Sequence, residues 1–162
     1  MNDPSFPERA FAIRRATARL CLRLGWAPLH EVSLPNGRRA DILALRPDGC
    51  FACIEVKSGP RDFLTDLKWH EYRDFADELF FAVDTDFPQD LLPAQTGLIV
   101  AAGLEAIAAR RTRTSAAWRA PESIAAPLCT ARCGKARGCG RPRWCCRCQG
   151  SASRGLADPP GE

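Results

Sequence analysis

The chain has 162 residues, 46% apolar and 26% charged, which suits one compact domain with a real core and excludes disordered and fibrous classes. It contains no run of 18 apolar residues, which argues against a membrane-spanning helix, and its opening MNDPSFPER lacks the basic-then-apolar order of a secretion signal, so a soluble cytoplasmic protein is expected. The net charge of +4 conceals an asymmetry: residues 1–109 hold 12 Lys and Arg against 16 Asp and Glu, whereas 110–162 hold 11 against 3.

Residues 7–24, PERAFAIRRATARLCLRL, predict an amphipathic helix. Phe11, Ala18 and Leu22, with Leu20 and Leu24, supply its apolar side, and Pro7 and Gly25 punctuate its ends. Three strands follow at 27–34, 39–46 and 50–57, separated by the turn sequences PNGR and RPDG. Gly59-Pro60 ends the third strand, and Pro60 suits the first turn of a helix running to about residue 76. ELFFAV at 78–83 and TGLIVAA at 96–102 read as buried strands. The order helix, three-strand meander, helix, strand, strand predicts an α/β domain over residues 1–109 with a mixed central sheet and helices on its faces. Residues 103–109 receive no element.

From about residue 110 the periodicity fails. Residues 110–162 form a basic tail rich in Arg, Gly and Cys, with Cys129, Cys133, Cys139, Cys145, Cys146 and Cys148 inside 20 residues. Too few apolar residues surround these cysteines to build the small core of a zinc module, so irregular structure without a zinc site is expected. The Cys50-x-x-Cys53 pair has no second pair beside it and reads as two reduced cysteines, and His30 and His70 have no ligand spacing around them.

The third strand raises the functional question, because Glu55 and Lys57 interrupt an apolar run, FACIEV. The turn RPDG suits a three-residue hairpin loop closed by a left-handed Gly49, which sets Arg46 opposite Cys50 and therefore Asp41 opposite Glu55. Lys57 shares their face by the period of two. Two carboxylates with backbones about 5 Å apart repel each other unless one stays protonated or a cation joins them. Mg²⁺ or Mn²⁺ answers that need with oxygen ligands and water, and a neighbouring lysine can orient or deprotonate a water or stabilise charge on a phosphate. The alternative is a cross-strand salt-bridge cluster with a structural role, in a small interaction module.

Asp41 followed by Glu55-Val56-Lys57 across a tight hairpin resembles the PD-(D/E)XK nuclease signature, with Ala40 where the signature proline would stand. The longer stretches RRADILAL, IEVKSGPRDFLTDLKWHEYRDFADELFFAV and FP…LLP…TGLIVA, over roughly residues 5–105, resemble the MmcB family of DNA repair proteins within that superfamily. The resemblance implies a restriction-endonuclease-like fold, with Asp41 and Glu55 as ligands of Mg²⁺ or Mn²⁺ and Lys57 as the catalytic lysine. Related nucleases carry a Gln and a Tyr four residues apart on the following helix. Lys68 and Tyr72 hold that spacing here, so Asp66, Lys68, Trp69 and Tyr72 are supporting candidates, with Glu31 on the first strand.

The partner implied is DNA. The acidic balance of residues 1–109 points to a homodimer or a repair partner that supplies further grip. A DNA-structure-binding factor with a nuclease-like fold and no cleavage activity is the second reading. Family members continue past the last strand into an Ala/Arg/Leu-rich helix, so the tail is either a frame-shifted stretch of GC-rich coding sequence or a basic DNA-binding extension.

Overall fold

The computed structural model describes residues 5–111. The predicted tail, its cysteines and both accounts of its origin lie outside the described residues from 112 onward. Chain order is α1 (Phe6–Arg23), β1 (Ala27–Ser33), β2 (Arg39–Leu45), β3 (Phe51–Val56), α2 (Pro60–Thr65), a 3₁₀ helix (Trp69–Phe75), β4 (Glu78–Asp84), a short 3₁₀ turn (Gln89–Leu91), β5 (Gly97–Ala102) and β6 (Glu105–Arg110). The six strands form one mixed sheet in sequence order. β1, β2 and β3 are an antiparallel meander, β3, β4 and β5 run parallel, and β6 returns antiparallel at the edge. No helix among the described residues is long and apolar enough to cross a membrane.

α1 starts where Glu8 accepts hydrogen bonds from the Ser5 N–H at 2.8 Å and the Ser5 hydroxyl at 2.7 Å, with proline in its first turn. It ends at Gly25, whose φ of 72° suits a residue without Cβ. Its buried stripe is Ile13, Ala16, Thr17, Leu20 and Cys21. This corrects the apolar side read from the sequence, since Phe11 and Leu22 are 58% and 64% exposed. Positions 13, 16, 17, 20 and 21 follow the helical repeat against the sheet, whereas 11, 18 and 22 form a neighbouring stripe turned away from it. Each large side chain buried on that stripe contributes about 1.5–3 kcal/mol.

α1 packs on one face of the sheet, against Ile42, Ile54, Phe80 and Ile99. α2 and the longer 3₁₀ helix cover the other face through Phe63, Tyr72 and Trp69, which meet Phe51, Phe81 and their neighbours. Gly97 is required where it stands, because a Cβ there would lie 2.2 Å from Cδ1 of the fully buried Phe80 ring.

Two elements differ from the sequence reading. The helix expected over 60–76 breaks at residue 66: α2 is six residues long and a 3₁₀ helix resumes at Trp69. Asp66 occupies a non-helical conformation in which its carboxylate accepts from Lys57 Nζ and from the Lys68 N–H, partners that a continuous helix would not offer it. β6 is additional. Its residues EAIAAR carry helix-forming alanines, but pairing with β5 across the Gly103-Leu104 turn overrides that preference.

Candidate functional site

The β2–β3 hairpin closes with Arg46 N–H donating to Cys50 O at 2.9 Å and Gly49 at φ 87°. The resulting register pairs Leu45 with Phe51 and Ile42 with Ile54, the one that the RPDG turn predicts. The ladder stops there. One residue further on, side chains replace backbone partners: the Val56 N–H donates to Asp41 Oδ2 at 2.8 Å, and the Asp41 N–H reaches Glu55 Oε1 at 3.4 Å. β3 meanwhile stays attached to β4, with the Lys57 N–H donating to Ala82 O. The parting of β2 from β3 opens a cavity of about 490 Å³ whose lining includes Asp41, Glu55, Lys57, Asp66 and Tyr72.

Glu55 and Lys57 are buried, at 4% and 5% exposure. Burial, then the nearby Asp41 charge, pushes the Glu55 carboxyl from its ordinary 4.5 up to about 8. Asp41 is also raised, chiefly by burial, against the opposing pull of the Val56 N–H and Arg14. Glu55 therefore holds its proton at neutral pH, beside an Asp41 that is itself harder to ionise than usual. Lys57 Nζ donates to Asp66 Oδ2 at 2.6 Å, which fixes the ammonium between the Asp41–Glu55 pair and α2. Tyr72 donates its hydroxyl to Arg39 O at 3.3 Å.

The other sequence candidates lie elsewhere. Trp69 meets Phe81 edge-on with ring centroids 5.7 Å apart and carries Arg73 on its face, so it packs the core. Lys68 is exposed, and its contact with Asp66 is through its backbone N–H. Lys68 precedes the 3₁₀ helix as its N-cap, and with three residues per turn positions four apart do not align, so the shared helical face expected for Lys68 and Tyr72 is absent. Glu31 is outside the lining, held by ion pairs with Arg14 and Arg39.

The cavity also gathers residues that the sequence did not single out. Arg14 comes from α1, Arg39 from β2, and Asp62 and Thr65 from α2. Arg39 was findable, two residues before Asp41 and on its face. Arg14 was not, being one of five arginines between Arg9 and Arg23 with nothing local to separate them. Ser58 is buried and turns the chain into α2 by donating its N–H and hydroxyl to Asp62 Oδ2.

Among the described residues no group of three or more His, Cys, Asp and Glu is arranged to hold a metal ion. Asp41 and Glu55 form a smaller, oxygen-only pair. Asp41 Oδ1 and Glu55 Oε2 accept no hydrogen bond among the described residues, both carboxyls resist ionising together, and the space beside them admits water. That donor set fits a hard cation taking one or two carboxylates and several waters, and does not fit zinc.

A protein-family model described as DNA repair protein MmcB-like matches residues 1–128. No curated protein matches the chain. A solved structure, the SPO1766 protein of unknown function from Silicibacter pomeroyi, is similar with a TM-score of 0.65 and 30% sequence identity, covering 86% of this chain and 100% of that one.

Proposed function

Because the chain belongs to the MmcB-like family of DNA repair proteins, we propose that it is a metal-dependent nuclease of the PD-(D/E)XK type that hydrolyses DNA phosphodiester bonds. The observation that carries the proposal is the placement of Asp41, Glu55 and Lys57 at the point where β2 and β3 separate, with the carboxyl of Glu55 raised to about 8 by burial and by Asp41. Structural salt-bridge clusters do not call for a buried carboxylate set against a half-buried one that repels it. A cation site does.

Asp41 and Glu55 would hold Mg²⁺ or Mn²⁺, which supplies charge neutralisation at the phosphate and a more acidic water. Asp41 is fixed for that task by the Val56 N–H on Oδ2, which leaves Oδ1, 3.9 Å from Arg14 Nη2, without a hydrogen bond among the described residues. Glu55 would hold the cation as the carboxylate, so binding would require it to give up its proton. Lys57, anchored by Asp66, is the group placed to orient a water or to stabilise charge developing on the phosphate. Asp66 positions the lysine, and Asp62 holds the turn at Ser58 that brings α2 over the site.

The test is incubation of the full chain with single-stranded, duplex, nicked and branched DNA in Mg²⁺ or Mn²⁺, beside Asp41→Asn and Lys57→Ala. Cleavage by the wild type that both variants lose supports the reading. Salt-sensitive DNA binding without cleavage in any metal would replace it with the DNA-structure-binding factor.

A further inference from the structure

We propose that Arg14 holds a phosphodiester oxygen of DNA at the mouth of this cavity, and that Glu31 is the residue that aims it. The inference rests on DNA being the cavity's ligand, as proposed above. It begins with an anomaly in β1. Glu31 is the only non-glycine residue at positive φ among the described residues, at 53°. Such a conformation is uncommon for a residue with Cβ, and strained backbone concentrates at functional sites.

The register explains where the strain is used. β1 pairs His30 with Ile42 and Val32 with Ala40, so Glu31 stands opposite Asp41, and its own pairing is the one missing between them. Acidic residues therefore occupy adjacent positions on β1, β2 and β3: Glu31, Asp41 and Glu55. Arg14 reaches into this row from α1. Its Nη1 pairs with Glu31 Oε1, and its Nη2 is 3.9 Å from Asp41 Oδ1, beyond hydrogen-bond reach. On the far side of Glu31, Arg39 Nε lies 2.6 Å from Oε2 in an ion pair that completes no hydrogen bond, so Glu31 sits between two arginines and accepts its hydrogen bond from Arg14.

The guanidinium is left with donors to spend. Among the described residues Arg14 Nη2 has no acceptor, and the buried Nε–H has none either. Buried or half-buried arginines ordinarily complete more of their five hydrogen bonds than one. The other cations of the cavity are differently placed. Lys57 is buried beside the carboxylate pair with one N–H on Asp66, in the role given to it above, and Arg39 is 68% exposed at the rim, where solvent screens it. The remaining arginines of α1 serve elsewhere: Arg9 pairs with Asp84, Arg15 stacks on Phe11, Arg19 bonds Leu104 O and Arg23 bonds Ala106 O. Arg14 alone combines a fixed fork, unfilled donors and a position beside the carboxylate pair, which is the geometry that suits a phosphate oxygen.

The experiment is DNA binding by the full chain in Ca²⁺, followed by anisotropy of a labelled duplex across a salt series. Arg14→Ala is expected to weaken binding about tenfold, the low end for a charge-assisted hydrogen bond, and to reduce the salt slope by about one. Arg15→Ala, the exposed neighbour, should do neither to that extent. In a Glu31→Gln background the loss on Arg14→Ala should shrink to about twofold, because an unaimed guanidinium has little left to lose. If Arg14→Ala does not fold, Arg14→Gln, which keeps a donor for Glu31, carries the same comparison. Wild-type affinity and slope in the Arg14 variant, or a loss no greater than that of Arg15→Ala, overturns the inference, as does a loss unchanged by Glu31→Gln. If wild type cuts DNA and Arg14→Ala binds normally, only the phosphate contact fails. If the wild type does not cut DNA in any metal but the Arg14 effect is present, only the nuclease reading fails.

Discussion

Replacing Glu55 by Gln should make the metal-free protein more stable at neutral pH while abolishing its response to divalent cations. An unfolded chain gives up the Glu55 proton near 4.5, whereas the folded protein holds it to about 8. Below 4.5 both states are protonated and the group has no effect on stability. Between 4.5 and 8 the folded state carries the extra proton, so stability falls as pH rises, by about 1.4 kcal/mol per pH unit. Above 8 both states are ionised and the full penalty, about 5 kcal/mol from the span of that shift, is in place. Glutamine keeps the shape without titrating, so the stability of Glu55→Gln relative to wild type should climb with pH through this window. For a domain of this size the difference amounts to roughly 5 °C in melting temperature per pH unit. Paired thermal melts from pH 5 to pH 9, with and without Mn²⁺, read it directly. Mn²⁺ should raise the wild-type melting temperature more at pH 8 than at pH 6 and leave the variant unmoved. A wild-type-minus-variant difference that stays flat from pH 5.5 to 7.5 would refute the reasoning.

Asp41→Asn should keep an acceptor for the Val56 N–H and fold normally but lose the Mn²⁺-induced rise in melting temperature. Asp41→Ala should lose that rise too and, by stranding the Val56 N–H, destabilise the domain by about 1–3 kcal/mol in urea unfolding. Lys57→Ala should remove cleavage while retaining the Mn²⁺ response. Its stability should drop by about 1–3 kcal/mol, less than for a fully buried pair because Asp66, at 22% side-chain exposure, keeps access to water. Gly97→Ala drives a methyl into the Phe80 ring and should lower stability by about 1–3 kcal/mol without changing DNA affinity, an outcome that separates packing from function.

What the sequence made legible was whatever local chemistry determines. The turn at Pro47-Asp48-Gly49 sets the β2–β3 register by itself, and the period of two then puts Asp41, Glu55 and Lys57 on one face. Features fixed by distant partners stayed hidden. Lys57 recruits Asp66 across nine residues and thereby ends α2, and docking on the sheet selects Arg14 from five arginines. The strand character of EAIAAR exists only because β5 offers an edge. The left-handed backbone at Glu31 leaves no mark in composition or spacing, since glutamate gives no warning of it.

The parting of β2 from β3 gives the two carboxylates unequal histories to carry. Asp41 caps a backbone amide that would otherwise be stranded, so it serves the architecture whether or not any chemistry takes place. Glu55 does the reverse, holding a proton that the unfolded chain would release and weakening the protein at neutral pH. A relative that had abandoned cleavage would thus be under pressure to keep an acceptor at position 41 and free to discard the acid at position 55. Among such proteins the aspartate is a poor witness to activity. On the nuclease reading proposed above, the glutamate, held at a cost to stability, is the residue whose persistence in a relative would report a working site.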